Sequence, residues 1–445
     1  MTVLTSPAAP PQFEMSPEQA LGLAVAWHRE GRLDASELLY RNLLALESGN
    51  ADAQHFLGLL LHQRGRTDEA LALMRGSLAL APTVPDWHNN FGNVLLASSQ
   101  LDAAADAYEQ AVRLEPERAD VHNNLGVLRR EQGRAAESEA AYRRAIELDP
   151  NYVDARTNLG NLLAGLGRKE EAMLSFCEAL VLKPGHQPAR EALGMAYYTL
   201  GRIDEAAQVY RDWLKDDPGN PAALHHLAAC SGEAVPERAA DAYVETVFDG
   251  FADSFDAKLA ALHYRAPALV EQAVAGVYGQ PGGVLRVLDA GCGTGLCGPL
   301  LAPYARQLDG VDLSERMLAK ARPRQIYHSL THAELTAFIA TLPPASYDLI
   351  VSADTLCYFG DLRAVADATA HALAPGGALV FTVEAHEQDA AYRLQPHGRY
   401  SHHENYLRKT FDGAGFSLAA MLHVHLRTEG GKPVEGRLVT ARREA

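Results

Sequence analysis

The 445-residue chain is short of cysteine, of basic residues and of long apolar runs. Its five cysteines show neither the spacing of a zinc site nor a disulfide framework, so we expect a reducing, cytoplasmic environment. No segment approaches the roughly 18 uninterrupted apolar residues of a membrane helix, and we expect no membrane contact. The 40 basic residues against 56 acidic ones argue against a nucleic-acid partner, because phosphate recognition needs a basic surplus.

Histidine pairs are the remaining source of metal ligands. His402–His403 is one pair, and His423 and His425 would share one face of a strand. Neither pair has a third ligand at a convincing spacing. We therefore predict no metal site.

The acidic surplus is concentrated in the first half of the chain. Residues 1–235 hold 21 basic and 32 acidic residues, and residues 236–445 hold 19 and 24. This distribution favours a neutral or basic partner for the first half. The first 16 residues are rich in proline and are predicted to form a disordered leader.

A period of 34 residues runs through the first half. A turn residue recurs, with a small residue seven positions before it and a large residue nine positions after it. These positions are held by Gly31, Gly65, Ser99, Gly133, Gly167 and Gly201; by Ala24, Gly58, Gly92, Gly126, Gly160 and Gly194; and by Tyr40, Met74, Tyr108, Tyr142, Phe176 and Tyr210. The period predicts helix pairs that stack into a superhelix with a concave groove, because one pair cannot bury its own apolar face. It resembles the tetratricopeptide repeat (TPR), with six units and a capping helix over 17–235.

Three asparagines, Asn90, Asn124 and Asn158, follow the same period. On the first helix of a repeat they are expected to face the groove. A carboxamide both donates and accepts hydrogen bonds, so a row of them can pair with the backbone of an extended peptide. The row is similar to the asparagine ladder of O-linked N-acetylglucosamine transferases, which implies a polypeptide partner, although three repeats have no asparagine there. The alternative is that these side chains only cap or bridge neighbouring helices.

The second half changes period near residue 284, where short β-rich runs begin to alternate with helical segments. Alternation of this kind predicts a parallel sheet with helices on both faces. The last two runs predict an antiparallel edge hairpin. The runs cover 284–289, 307–312, 347–353, 378–384, 416–424 and 435–441.

The first run ends in a glycine-rich turn that predicts a ligand site at the carboxyl edge of the sheet. Asp289 precedes the turn glycines, and Asp312 ends the second run. An acid before the turn would repel a pyrophosphate and attract an amino group, while Asp312 can accept from ribose hydroxyls. A nicotinamide dinucleotide is the rival ligand, but the glycine register is shifted from its fingerprint and leaves Asp289 unexplained.

These features resemble the class I S-adenosylmethionine (SAM)-dependent methyltransferases, which implies a Rossmann-like domain over 284–445 and SAM as the cofactor. By this resemblance Asp289 would hold the methionine amino group and Asp312 the ribose. The glycines would let the cofactor pack on the backbone, and two apolar side chains would flank the adenine. The implied cofactor-binding residues are Asp289, Gly291, Gly293, Gly295, Asp312, Leu313, Met317 and Asp354.

The resemblance extends over nearly the whole chain to bacterial TPR-containing predicted methyltransferases. It rests on Phe-Asp-Gly-Phe-Ala from 248, Leu-His-Tyr-Arg-Ala-Pro from 262 and Gly-Arg-Tyr-Ser-His from 398. It implies that residues 236–283 form a helical lid, in which Phe251, Phe255 and Tyr264 contribute to the substrate pocket. His328 departs from the family pattern, which has an aspartate there for the adenine amino group.

Groups for the transfer step are expected beyond the carboxyl ends of the fourth and fifth strands. His402 is predicted to be a general base because imidazole titrates near neutrality, and the alternative is a structural histidine. Asp354, Tyr400 and His402 are the catalytic candidates, and Tyr358, Glu384 and Tyr406 are expected to face the same pocket.

Together these patterns predict a protein methyltransferase whose TPR groove recruits a polypeptide. The alternative is a small-molecule methyltransferase whose repeats bind a partner protein or mediate self-association into a homo-oligomer. A third interpretation is a TPR scaffold with a decayed enzyme fold, which the intact Asp289, Asp312 and glycine turn disfavour. The sequence leaves the acceptor atom open.

Overall fold

The computed structural model describes residues 15–253, 255–429 and 432–444. Most of the predicted leader, residues 1–14, lies outside the described residues. The first thirteen helices form six helix pairs and a closing helix, as the 34-residue period predicts. They are α1 (Pro17–Arg29), α2 (Leu33–Leu46), α3 (Ala51–Gln63), α4 (Thr67–Leu80), α5 (Pro85–Ala97), α6 (Leu101–Leu114), α7 (Ala119–Glu131), α8 (Ala135–Leu148), α9 (Val153–Gly165), α10 (Lys169–Leu182), α11 (Gln187–Thr199), α12 (Ile203–Asp216) and α13 (Pro221–Ser231).

The small residue of the period is the point of closest approach within a helix pair. A Cβ at Gly92 would lie 2.6 Å from Tyr108 Cε1, and a Cβ at Gly126 would lie 2.5 Å from Tyr142 Cδ1. Both tyrosines are fully buried. The turn glycines adopt φ angles of 73° to 79°, which favour glycine, and Ser99 takes the same left-handed region at 58°. The repeat therefore combines a tight turn with a tyrosine packed on bare backbone.

Residue contacts divide the chain into two compact units, one ending at Leu162 and the other running from Leu163 to the C-terminus. Helices α10 to α13 thus belong to the same unit as the sheet. Within that unit, His225 Nε2 donates to the Gly398 carbonyl oxygen at 2.8 Å, and its ring stacks on Tyr243. The predicted boundary between residues 235 and 236 falls inside this second unit.

Three helices precede the sheet and five more lie between or beside its nine described strands. The helices are α14 (Asp241–Phe251), α15 (Phe255–Ala261), α16 (Ala266–Tyr278), α17 (Gly298–Leu301), α18 (Glu315–Ala321), α19 (Leu335–Ala340), α20 (Arg363–Ala372) and α21 (Glu404–Gly413). The strands are β1 (Leu285–Ala290), β2 (Ala305–Asp312), β3 (Ser329–His332), β4 (Tyr347–Ser352), β5 (Leu373–Ala385), β6 (Tyr392–Leu394), β7 (Tyr400–His402), β8 (Phe416–Glu429) and β9 (Lys432–Arg443).

The strand order is β3-β2-β1-β4-β5-β7-β6, with β9 paired to both β5 and β8. The pairs among β1 to β5 are parallel, and β8 and β9 form the antiparallel hairpin that the sequence predicts. The order reverses at β1, between β2 and β4, which opens a crevice at the carboxyl ends of these strands. The predicted fold class, a TPR superhelix followed by a Rossmann-like domain, is confirmed.

The central strands are buried on both faces because their alternate side chains enter two different apolar cores. In β1, Leu288 packs into one core and Val287 into the other. In β4, Ile350 and Leu349 divide in the same way. The sheet is thereby fixed as a rigid support for the residues at its carboxyl edge.

A small hairpin of β6 and β7 adds to the sheet beyond β5 and was not predicted. Ser401 pairs with Glu384 and His402 with Ala385, in parallel with the end of β5. This register determines where the late candidate residues point. In the described part of the chain, no helix has both the length and the apolar character needed to cross a bilayer.

Candidate active site

A cavity of about 420 Å³ lies at the carboxyl ends of β1, β2 and β4, within the second unit. Its size is in the range of small-molecule sites. Predicted site residues from the glycine turn, from the end of β2, from the loop after β4 and from the helices before β1 meet there. Those that line it are Phe251, Phe255, Tyr264, Asp289, Gly291, Gly293, Asp312, Leu313, Met317, Asp354 and Tyr358.

The glycine turn is shaped by close approach on one side and open space on the other. A Cβ at Gly291 would overlap the Thr355 side chain, and φ there is 81°. At Gly293, by contrast, a Cβ would meet only Phe255 Cε1 at 3.9 Å. Gly293 N donates to Asp312 Oδ2 at 2.8 Å, so the turn is tied to the end of β2. The backbone at Gly293 is therefore bare toward the cavity.

Gly295 has a different role from the predicted one. It does not line the cavity; a Cβ there would lie 3.0 Å from Tyr327 Cε2. Gly298 and Gly310 also approach the same ring, at 2.9 Å from its OH and 3.2 Å from its Cδ1. These glycines make room for the ring of Tyr327 beneath the turn. This contact was invisible in the motif because Tyr327 follows it by about 30 residues.

Tyr327 acts on the acid that precedes the turn. Its OH donates to Asp289 Oδ2 at 2.6 Å. Burial raises the pKa of Asp289 to about 7, the hydrogen bond from Tyr327 lowers it, and the charge of Asp312 raises it further. Burial also raises the pKa of Asp312, against hydrogen bonds from the backbone N–H groups of Ser314 and Gly293. Two buried carboxylates at one end of the cavity favour a ligand with a cationic group beside Asp289.

His328, the departure from the family pattern, is turned away from this site. Its Nδ1 accepts from Leu308 N at 3.1 Å, and its own N–H donates to the Leu308 carbonyl oxygen at 2.7 Å. Its side chain is exposed and does not line the cavity. In the segment that directly follows β3, the cavity is lined by Ala333, Glu334 and Leu335.

The helices before β1 are held over the glycine turn by acids that the sequence analysis did not single out. Thr294 Oγ1 donates to Asp256 Oδ1 at 2.5 Å, and Ser314 Oγ donates to Asp249 Oδ1 at 2.6 Å. Arg324 pairs with the other oxygen of Asp256 at 2.6 Å. The available signal was the aspartates interleaved with the aromatic residues of α14 and α15.

Asp354 lines the same cavity from the loop after β4. It follows β4 in a left-handed conformation, with φ at 58°, and its N–H donates to Thr382 Oγ1 at 2.8 Å. Oδ2 accepts from Arg427 Nη1 at 2.6 Å, while Oδ1 is buried and has no hydrogen-bond partner among the described residues. Burial raises the pKa of this carboxyl group. A strained backbone with an unpaired buried oxygen is typical of a functional position.

A buried network of charges stands behind Asp354. Arg427, only 3% exposed, also donates from Nε to Glu429 Oε1 at 2.6 Å and from Nη2 to Glu384. Arg399 donates from Nε to Glu384 Oε1 at 2.6 Å and from Nη2 to Glu429. The sequence did not indicate the two arginines, because charged residues in β8 and in the turn between β6 and β7 are expected to be exposed to solvent. Glu384 does not line the cavity itself but supports the two arginines that do.

Tyr400, His402 and Tyr406 do not line the cavity, which corrects their predicted placement. His402 is fully buried, its Nε2 donates to the Gly360 carbonyl oxygen at 3.1 Å, and burial lowers its pKa to about 4. Tyr400 OH donates to the Pro236 carbonyl oxygen at 2.8 Å, and Tyr406 OH donates to Asp361 Oδ1 at 3.0 Å. The pairing of β7 with β5 places Tyr400 and His402 in the packed interior, and Tyr406 lies on α21. We therefore assign none of them to the reaction.

The last repeats contribute to the wall of the cavity. Glu191 and Met195 from α11 and His226 from α13 are among its lining residues. His226 is 2% exposed and stacks on Tyr210. No sequence pattern indicated this, since repeat positions predict only packing within the array.

The ladder asparagines lie in the first unit and bond to the repeat before them. The bonds run from Asn90 Nδ2 to His55 Nε2 (3.2 Å), from Asn124 Nδ2 to Asn89 Oδ1 (3.0 Å) and Asn93 Oδ1 (3.1 Å), and from Asn158 Nδ2 to Asn123 Oδ1 (2.9 Å). The alternative prediction, that these side chains bridge neighbouring helices, therefore holds for their Nδ2 groups. Among the described hydrogen bonds, none occupies the Oδ1 atoms of the three.

Comparisons with known proteins find two kinds of domain in the chain. A family model described as a methyltransferase domain matches residues 252–421, and tetratricopeptide repeat models match residues 28–89, 89–153, 129–187 and 157–221. The chain therefore combines tetratricopeptide repeats with a methyltransferase domain.

Two curated relatives show what the second half is similar to. A ubiquinone biosynthesis O-methyltransferase of Idiomarina loihiensis is 34% identical over 25% of this chain and 46% of its own length. Methyltransferase-like protein 27 of Homo sapiens is 30% identical over 33% of this chain and 60% of its own length. The chain thus spans about half the length of these relatives. Among solved structures, PilF of Pseudomonas aeruginosa is 18% identical over 48% of this chain and 96% of its own, with a TM-score of 0.41.

Proposed function

We propose that the protein is a class I SAM-dependent methyltransferase whose repeats recruit a polypeptide substrate. The observation that carries the activity is that one cavity is lined by the glycine turn, Asp289, Asp312, Asp354 and several aromatic side chains. The methyltransferase-domain match covers this same region.

The donor end of the cavity fits SAM. Asp289 would hold its ammonium group, Asp312 its ribose hydroxyls, and Leu313 and Met317 would flank its adenine. The fit rests on the bare backbone at Gly293, which any Cβ would fill, and on two carboxylates whose charge suits a cation. When bound, SAM supplies an electrophilic methyl group on a sulfonium.

The chain's own residues would prepare the acceptor. Phe248, Phe255, Tyr264 and Tyr358 line the cavity and exclude water from the reacting groups. The free Oδ1 of Asp354 would accept a hydrogen bond from the acceptor and then its proton. Arg427 holds the other oxygen of Asp354 and so fixes the direction of Oδ1.

The asparagines of the first unit support polypeptide recruitment in a modified form. Both hydrogens of the Asn124 amide are used within the array, so the group that all three asparagines would offer a peptide is the Oδ1 acceptor. Oriented acceptors at a regular spacing suit the N–H groups of an extended peptide. The acidic surplus of residues 1–235 would also attract an extended peptide that carries basic side chains.

A small-molecule O-methyltransferase is the second candidate. It is favoured by relatives such as the Idiomarina loihiensis enzyme, which is named as an O-methyltransferase of ubiquinone biosynthesis. The repeats would then bind a partner protein or a second copy of the chain.

The deciding experiment is transfer of tritiated methyl from SAM into a host-cell lysate, with the products separated by size and protease sensitivity. At a SAM concentration below saturation, Asp289→Asn should strongly reduce the label, and Asp412→Asn, at an exposed carboxylate on α21, should leave it unchanged. Label in a protease-sensitive macromolecule supports the polypeptide substrate. Label confined to small molecules supports the second candidate instead.

The ladder is tested on the protease-sensitive product. The triple variant Asn90→Ala, Asn124→Ala, Asn158→Ala should raise the KM for the labelled protein by at least about tenfold, because each of the three lost hydrogen bonds contributes about 0.5–1.5 kcal/mol. Asn42→Ala, an exposed asparagine on α2, is the matched control. An unchanged KM in the triple variant would contradict recruitment by the ladder.

A further inference from the structure

We propose that the methyl acceptor is an amine on an apolar stem, which enters the cavity as an ammonium cation and is held by Asp354. This inference rests on the proposed methyltransferase function and names the substrate class of the same site. An amine acceptor is thereby distinguished from a carboxylate acceptor and from a neutral hydroxyl acceptor.

The first argument is the balance of charge around Asp354. Three carboxylates, Asp354, Glu384 and Glu429, face two guanidinium groups, Arg399 and Arg427. His397 lies 3.5 Å from Glu384, but burial and the neighbouring arginines lower its pKa to about 4, so it adds no positive charge near pH 7. One negative charge is therefore left uncompensated in this group around Asp354, which we call the acceptor end of the cavity.

The whole cavity shows the same surplus. Its lining residues include six acids, namely Glu191, Asp289, Asp312, Glu334, Asp354 and Glu429, and four bases, namely Arg238, Lys258, Arg399 and Arg427. Lys258 lies 4.3 Å from the ring centre of Phe251, which is 44% exposed. The ammonium group of this lysine thus packs on an exposed ring.

The second argument is that the buried arginine is already occupied. Arg427 uses Nη1, Nη2 and Nε on three different carboxylates, and Arg399 uses Nε and Nη2 on two of them. An arginine that binds a carboxylate substrate presents a free fork of two N–H groups. No such fork faces the cavity from Arg427, and an anionic acceptor would lie beside like charges.

The third argument is the unpaired oxygen. Asp354 Oδ1 is buried without a hydrogen-bond partner among the described residues, which is costly until a donor arrives. An ammonium group brings both the donor and the compensating charge, whereas a hydroxyl brings only the donor. The aromatic rings of Phe248 and Tyr358, 5.3 Å apart edge to face, add surfaces on which a cation and an apolar stem can pack.

The proton balance of the step follows from these contacts. The ammonium gives one proton to Asp354 Oδ1 and becomes an amine with a free electron pair. That pair forms the new N–C bond as the C–S bond breaks with its electrons remaining on sulfur. The methylated ammonium leaves, and Asp354 returns its proton to water.

The test uses the full chain saturated with S-adenosylhomocysteine and three probes of equal length: n-pentylamine, 1-pentanol and pentanoate. Isothermal titration should show pentylamine binding at least about tenfold more tightly than either other probe. Asp354→Asn should reduce pentylamine affinity about tenfold, while Asp412→Asn should not change it. Asparagine tolerates the left-handed backbone at 354, so this variant retains the local conformation.

A second variant keeps the proposal testable if the first variant does not fold. Glu429→Gln removes one carboxylate at a partly exposed position and should weaken pentylamine binding severalfold. Tighter binding of pentanoate or pentanol than of pentylamine, or unchanged pentylamine affinity in both variants, would overturn the proposal. Failure of the wild-type chain to bind S-adenosylhomocysteine would instead overturn the proposed function.

Discussion

The two ends of the cavity are built in different ways. At the donor end, Asp289, Gly291, Gly293 and Asp312 come from one strand–turn segment and the strand that follows it. At the acceptor end, Asp354 depends on Arg427, which lies 73 residues further along the chain. A site made of neighbours in sequence can be recognised from sequence, whereas a site made of distant charges requires the fold.

The comparison predicts that a substitution at the acceptor end lowers the rate of transfer without changing SAM binding, and that a substitution at the donor end weakens SAM binding. The largest effect is expected for Asp354→Asn, which should lower kcat by about 100-fold or more, because loss of a general base typically costs this much. SAM affinity should stay within about twofold of wild type. Single-turnover transfer to the labelled acceptor, together with equilibrium SAM binding, measures both quantities. A large loss of SAM affinity would show that the ends are not separable.

Asp289→Asn should have the converse effect. Loss of a charge-assisted hydrogen bond costs about 1.5–3 kcal/mol, so SAM affinity should fall by about 10- to 100-fold. Isothermal titration with SAM measures the change, and Asp412→Asn serves as its control. Wild-type affinity in Asp289→Asn would remove this residue from the donor site.

Lowering the pH should weaken SAM binding even in the wild type. The pKa of Asp289 is raised to about 7 by burial, so the carboxyl group is increasingly neutral below pH 7 and attracts a cation less. Affinity should therefore fall from pH 8 to pH 6, by up to about tenfold per unit at the acidic end. In Asp289→Asn this part of the pH dependence should vanish.

The smallest effect is expected for Tyr327→Phe, which keeps the ring that fills the space under the glycine turn. It removes the hydrogen bond that lowers the pKa of Asp289, so that pKa should rise and SAM affinity at pH 7 should drop severalfold. Raising the pH to 9 should restore most of the loss. A loss that persists at pH 9 would point to altered packing rather than to ionisation.

The sequence was sufficient for the architecture and for most of the donor end. The repeat period predicted six helix pairs, and the glycine turn with its flanking acids predicted a ligand site at the carboxyl edge of the sheet. Gly295 was assigned to the cofactor because a motif shows spacing but not which glycine faces the ligand. Its neighbour Tyr327 lies on a segment whose position depends on the pairing of β2 and β3.

The acceptor end was predicted only at Asp354 and at the aromatic residues. His402 looked suitable as a base, but the register of β7 against β5 places it in a fully buried position. The buried role of Arg399 and Arg427 depends on three carboxylates that come from the loop after β4, from β5 and from β8. Likewise, nothing in the repeat pattern indicated that α11 and α13 contribute to the wall of the cavity.

The most direct test of the account is to measure SAM affinity and single-turnover rate for wild type, Asp289→Asn and Asp354→Asn under one condition. The account predicts that wild type binds SAM, that Asp289→Asn loses affinity by at least about tenfold, and that Asp354→Asn retains affinity but loses the rate. Absence of SAM binding in the wild type, or equal loss of affinity in both variants, would contradict it.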